Sequence, residues 1–195
     1  MAKQKINICW FRRDLRLHDN AALYHALKDG LPVVPVFIFD KAILDKLEDK
    51  NDRRVEFIHH AITDMQQQLQ EMDSSMDVYY GFPSDVFRKL VEKYSINNVF
   101  TNHDYEPYAL ERDAAIEQLL ATQKIGFSTF KDHVVFEKFE VVKDDGSPYV
   151  VYTPYSKKWK ENFRKIKLVH YNSEDKLDKV AKHSYLFLSL ADIGF

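Results

Sequence analysis

With 195 residues, 45% of them hydrophobic, and a formal net charge of -2, the chain is long enough to bury one substantial core and has no global basic bias that would make it a nucleic-acid binder as a whole. Its single cysteine, Cys9, excludes an internal disulfide and fits a reducing compartment. No apolar run approaches the roughly 20 residues that span a bilayer, so a cytoplasmic chain without membrane contact is expected.

Strand and helix signals alternate from the start, the rhythm of a parallel sheet covered by helices on both faces. Ile6, Ile8, Cys9, Trp10 and Phe11 predict a buried first strand, and Asp19 or Asn20 caps a helix carrying Ala21, Ala22, Leu23, Ala26 and Leu27. Pro32 to Phe39 is nearly all apolar, as in a strand buried on both faces, and ends in Asp40. From Asp52 to Met72, Val55, Ile58, Ile62, Met65, Leu69 and Met72 recur at helical steps. Asp77 to Tyr80 is a third strand closed by Gly81, and Ser84 caps a helix whose inner face is Val86, Phe87, Leu90, Val91 and Tyr94. Asn98 to Asn102 follows as the fourth strand, and Pro107 opens a helix that Gly126 ends. Phe127 to Phe130, continued by Val134 to Phe136, makes the fifth strand.

Asp144 to Pro148 reads as a turn, Tyr149 to Tyr152 as a short extended piece, and Thr153 onward as a lysine-rich helix. Tyr171 to Ser184, with few bulky apolar residues except Leu177 and Val180, reads as a linker. The apolar ending from Leu188 to Phe195 has no evident core of its own to join, which points to a partner or a further domain. The fold class is α/β, a Rossmann-like doubly wound sheet of five mainly parallel strands, with one unit over residues 1–135 and an extension over 136–195.

The glycines stand singly at 30, 81, 126, 146 and 194 and assemble neither a phosphate loop nor a dinucleotide fingerprint. The histidines, including His59 and His60, lack metal-site spacing, and no Ser, Cys or Thr sits in a nucleophile context, so neither a metal nor a catalytic residue is assigned. Polar residues at strand ends remain. Arg12, Arg13, Asp14 and Arg16 follow the first strand and either face a ligand or partner or form an ion-pair cluster that orders the loop. Asp40 ends the second strand, Asp104 and Glu106 follow the fourth, and Arg54 begins the long helix.

In a doubly wound sheet these positions can converge on one crevice, where Phe37, Ile38 and Phe39 wall a flat heteroaromatic ligand. Asp104 and Glu106 then orient ring N–H or hydroxyl groups, or else serve the cap and dipole of the helix at Pro107. Trp159, Phe163 and Ile166 lie at helical spacing among lysines, either as a packed amphipathic helix or as a face that steers a polyanion. A stand-alone ATP- or AMP-binding protein is a competing reading of the same architecture.

The segments WFRRDLRLHDN at Trp10 to Asn20, FIFD at Phe37 to Asp40, NHDYEPYALERD at Asn102 to Asp113, YTPYSKKW at Tyr152 to Trp159 and the closing SLADIGF make the chain resemble the N-terminal domain of the DNA photolyase and cryptochrome family. The resemblance implies a light-harvesting domain of a deoxyribodipyrimidine photolyase, or of a cryptochrome photoreceptor. Such a domain holds an antenna chromophore and passes excitation to FAD in a C-terminal helical domain that this chain lacks. That domain also binds damaged DNA, so little or no DNA binding and no repair are expected of this chain alone.

Glu106-Pro107-Tyr108 departs from the Asn-Glu pair of folate-binding relatives and looks more like deazaflavin- or flavin-binding members. By that likeness Arg12, Phe39, Asp40, Arg54, Asp104 and Glu106 are chromophore-binding residues, and Arg13, Asp14, Arg16 and Trp159 belong to the domain interface.

Overall fold

A computed structural model describes residues 3–195. Five strands form one parallel sheet: β1 (Lys5–Phe11), β2 (Val33–Asp40), β3 (Asp77–Gly81), β4 (Ser95–Asn102) and β5 (Gly126–Phe130). Their order is β3-β2-β1-β4-β5, so the chain winds outward on one side of β1 and then returns to wind outward on the other. This is the doubly wound α/β fold that the sequence rhythm predicts.

Alternation along the strands sends residues to two cores. Cys9 and Phe11 of β1 and Phe37 and Phe39 of β2 face α1 (Ala21–Lys28) and α3 (Arg53–Gln70). Ile8, Trp10, Val36 and Ile38 face α4 (Pro83–Lys93) and α5 (Pro107–Thr122). Burial on both faces explains why β2 reads as a continuous apolar run rather than an alternating one. Pro35 is tolerated there because β3 pairs only from Val36 onward, which leaves the strand an edge on that side.

Asn20 caps α1, its side chain accepting from the Leu23 N–H at 3.1 Å. α4 starts differently from expectation: Pro83 fills its first turn after Phe82, and Ser84 is not the cap. Gly126 does not end α5 either. Lys124 takes the left-handed turn at φ 59, and the Ile125 N–H reaches back to the Leu120 carbonyl at 3.0 Å. Gly126 instead begins β5, where a Cβ would stand 2.6 Å from Asn98 Oδ1.

α2 (Lys41–Leu44), capped by Asp40, is too short to show a period in the sequence. Val134 to Phe136 does not continue β5, and Tyr149 to Val151 is irregular chain leading into α6 (Tyr152–Phe163).

The expected linker is not free chain. Ser173 and Val180 are buried, Val180 bridges to Val33, and the Ala181 N–H donates to the Val33 carbonyl at 2.8 Å. The apolar ending also finds a core. Ile193 is buried, and Leu188, Leu190 and Phe195 pack on the α1 and α3 side of the sheet. Among the described residues no helix is long and apolar enough to cross a membrane.

Candidate functional site

The carboxyl ends of β1, β2 and β4 open onto a cavity of about 210 Å³. A crevice belongs there because the connections from β1 and β4 part in opposite directions across the sheet. β2 contributes Phe37, Ile38, Phe39 and Asp40, and the end of β1 contributes Trp10, Arg12 and Arg13. Asp104, Glu106, Tyr108, Ala109 and Arg112 come from the turn after β4 and the first turns of α5. Ile43 and Leu44 of α2, Ile58 of α3 and Pro83 of α4 add apolar wall.

Of the residues expected at a ligand, Arg12, Phe39, Asp40, Asp104 and Glu106 meet here, and Arg54 does not. The Arg54 side chain is 74% exposed and turned to Asp52, with Nη2 2.5 Å from Oδ2. Asp52, which caps the same helix, captures the guanidinium, and that contact holds the Asp52 carboxyl down to about 2. Neither Asp104 nor Glu106 caps α5 through its side chain. Glu106 accepts from Arg13 Nη2 at 2.6 Å, and Asp104 Oδ1 accepts from the Tyr105 N–H at 2.9 Å.

Asp40 performs two tasks. Its Oδ1 accepts from the Ala42 N–H at 3.0 Å, and its Oδ2 accepts from the Tyr108 hydroxyl at 2.6 Å. Burial, reinforced by that bond to a carboxylate, pushes the Tyr108 pKa upward, so the phenol stays a neutral donor. Beneath them Arg12 is held by Asp113 at 2.5 Å and by the Asn102 carbonyl, 4.9 Å from the centre of the Trp10 ring. Burial draws the Arg12 pKa down. Arg112 also approaches Trp10, at 5.0 Å. Tyr108 and Arg112 carry no strand-end signature in the sequence; their spacing of four residues on one helix, directly after Glu106, is the clue that places both on one face.

The arginine cluster after β1 divides. Asp14 is buried and accepts from the Arg12 N–H, Asn20 Nδ2 and Asn102 Nδ2, so it orders the loop from within. Arg16, partly exposed, bonds Asp132 Oδ2 at 2.8 Å and the Asp19 carbonyl at 2.6 Å. Trp159 stacks on Phe163 at 5.0 Å and meets the edge of Phe136 at 5.5 Å on a helix that buries no residue. Asp14, Asp132 and His133 bring ligand-type atoms within 4.8 Å of one another. Arg16, amide groups and backbone N–H donors already engage the two carboxylates.

A larger groove of about 680 Å³ lies at the opposite end of the sheet, between Ile6, Pro32, Tyr94 and the returning segment 178–183. Its Lys93 pairs with Asp77 at 2.8 Å, and its Lys3 and Lys182 bond the Glu92 and Met72 carbonyls. The smaller cavity is the functional candidate because apolar walls and convergent polar groups meet in it.

The family model for DNA photolyase matches residues 7–176. This chain belongs to the DNA photolyase family. A deoxyribodipyrimidine photo-lyase from Alkalihalophilus pseudofirmus is 34% identical over 160 residues, covering 77% of this chain and 32% of that protein. Cryptochrome-1 of Drosophila melanogaster is 34% identical over 154 residues, covering 75% and 28%. The crystal structure of a class III photolyase from Agrobacterium tumefaciens matches with a TM-score of 0.68 at 28% identity, over 79% of this chain and 31% of that one. The chain therefore spans less than a third of the length of these relatives.

Proposed function

We propose that this chain is the light-harvesting domain of a deoxyribodipyrimidine photolyase, holding an antenna chromophore in the cavity at the carboxyl ends of β1, β2 and β4. The observation that carries this reading is the meeting of Phe37, Ile38 and Phe39 with Asp40, Asp104, Tyr108 and two buried arginines around one opening. The residues fit a flat heteroaromatic of flavin or deazaflavin type. Aromatic and aliphatic walls take its faces, the carboxylates accept ring N–H or hydroxyl protons, and Arg112 keeps a buried donor free for an acceptor.

When bound, such a chromophore supplies the absorption and passes its excitation to FAD in a C-terminal helical domain, where cyclobutane dimers are split. The chain itself holds and orients the chromophore and excludes water from it. No bond-making group is assigned to it. Arg13, Arg16 and Trp159 are proposed to face the FAD domain, with Asp14 acting through the loop it orders. Damaged DNA is a partner of that domain, and the net charge of -2 gives this chain no general affinity for it. A cryptochrome role uses the same cavity, in keeping with equal 34% identity to a photolyase and a cryptochrome.

Fluorescence titration with FMN, with ATP as competitor, tests the reading. Saturable quenching that ATP does not reverse is expected, abolished by Ile43→Trp at the exposed rim and unchanged by Arg54→Ala, which stands outside the cavity. Displacement of FMN by equimolar ATP would instead assign a nucleotide site, and absence of saturable binding would overturn the proposal.

A further inference from the structure

The groove at the amino ends of the strands, about 680 Å³ in volume, has no part in the chromophore reading and shares no lining residue with the smaller cavity. Its size falls within the roughly 300–1,000 Å³ of small-molecule sites. Ile6, Val34 and Val180, all buried, give it an apolar floor together with Pro32. One wall is aromatic and already fixed: the Tyr94 and Tyr185 hydroxyls meet at 2.9 Å, and the His183 ring stacks on Tyr185 with centroids 4.3 Å apart.

The lining carries four lysines, Lys3, Lys93, Lys179 and Lys182, against one carboxylate, Asp178. Asp77 neutralises Lys93 at 2.8 Å. The other three form no ion pair among the described residues. Lys3 and Lys182 bond the Glu92 and Met72 carbonyls, and Lys179 is exposed and makes no side-chain bond. A carbonyl orients an ammonium group without cancelling its charge. Three uncompensated positive charges therefore border an apolar floor in a chain whose net charge is -2. Clefts lined by one sign of charge over low-dielectric walls concentrate their field on an ion of the opposite sign.

We infer that this groove binds an organic polyphosphate with a flat ring body, a nucleoside di- or triphosphate. Its phosphates meet Lys3, Lys179 and Lys182, and its base and sugar cover the floor of Ile6, Val34 and Val180. Both parts of the ligand answer to the site. A bare inorganic anion leaves the apolar floor in water, and an uncharged ring leaves three ammonium groups without a counter-charge. Lysines act on phosphate as point charges on flexible stems, so the site needs no glycine-rich loop to shape it.

The test is calorimetric titration of the chain with ADP. Saturable binding of one ADP per chain is expected, weakened by about 0.5 M salt and weakened about tenfold by Lys179→Glu. Lys179 is exposed and unpaired, so this variant is expected to fold, which circular dichroism checks. Binding should be unchanged by Lys89→Glu, an exposed lysine outside the groove, and by Ile43→Trp, at the rim of the cavity on the opposite strand ends. Pyrophosphate and adenosine, each offering half of the ligand, should both bind more weakly than ADP. Absence of saturable ADP binding would overturn the inference, as would pyrophosphate binding as tightly as ADP. Loss of ADP binding in Ile43→Trp with retention in Lys179→Glu would move the nucleotide to the other cavity, overturning this inference and the chromophore reading together.

Discussion

One carboxylate, Asp14, ties three parts of the chain together. It accepts from the Arg12 N–H at 3.0 Å, from Asn20 Nδ2 at 3.1 Å and from Asn102 Nδ2 at 2.5 Å, which links the loop after β1 to the cap of α1 and the end of β4. Asn102 in turn accepts the Ala22 N–H at 2.9 Å. Asp14→Ala strands three donors away from water, and a loss of about 3 kcal/mol in unfolding free energy is expected from urea denaturation. A loss below about 1 kcal/mol would show that the loop is held by other contacts. The sequence points to Asp40, Asp104 and Glu106 because each stands at or just beyond a strand end, and strand ends of a doubly wound sheet share a crevice. It misplaces Arg54 relative to that crevice because Asp52, two residues earlier, competes for the guanidinium. It passes over Arg112 because an arginine in an amphipathic helix reads as surface charge until its neighbours are known.

At the scale of elements, hydrophobic period makes most of the fold legible. The stripe of α3 is read correctly from Val55, Ile62, Met65 and Leu69, all of them buried. Pairing within the returning segment 171–185 has no such period, because Ser74 and Ser75 bond the Ala181 and His183 carbonyls at 2.7 and 2.9 Å, one hydroxyl at a time. A second junction there is built from phenols. The hydroxyls of Tyr79 and Tyr94 donate to Asp77 Oδ2 at 2.7 and 2.9 Å, the Tyr94 and Tyr185 hydroxyls meet at 2.9 Å, and Lys93 pairs with the same carboxylate. Burial above all raises the pKa of Tyr79, Tyr94 and Tyr185. Raised values in the folded chain mean that the unfolded state releases these protons first, near the ordinary tyrosine pKa of about 10. The contribution is therefore complete below about pH 10 and declines as pH rises through the folded-state values. A urea midpoint that is level near pH 9 and falls steeply beyond about pH 10 is expected, with a shallower fall in Tyr94→Phe. A level profile across that range would show that the three phenols titrate alike in both states.

For the molecule as a whole, the last 25 residues decide whether the sheet stands alone. Between the sheet and these residues runs α6, which buries nothing, so the intervening chain contributes little to the core. The segment beyond it does the reverse. Ser173 donates to the Leu17 carbonyl at 2.8 Å and accepts the N–H of the α1 cap Asn20 at 3.2 Å. Val180 and Ile193 are buried in the α1 and α3 core, with Phe187, Leu188, Leu190 and Phe195 packed around it. Burying a valine or isoleucine is worth about 1.5–3 kcal/mol, so Val180 and Ile193 together supply about 3–6 kcal/mol before their neighbours are counted. Domains of ordinary size have only about 5–15 kcal/mol to lose. Composition hides this role, since polar residues outnumber the few apolar anchors that carry the burial. A chain ending at His170 is therefore expected to lose cooperative thermal unfolding, or to melt far below the full chain, in circular dichroism. Ile193→Ala should take about 2–5 kcal/mol by itself, because Ile193 is almost wholly buried within the α1 and α3 core, where truncation leaves a cavity. A truncated chain that melts within a few degrees of the full one would place the whole core inside the first 170 residues and reduce the returning segment to a surface strap.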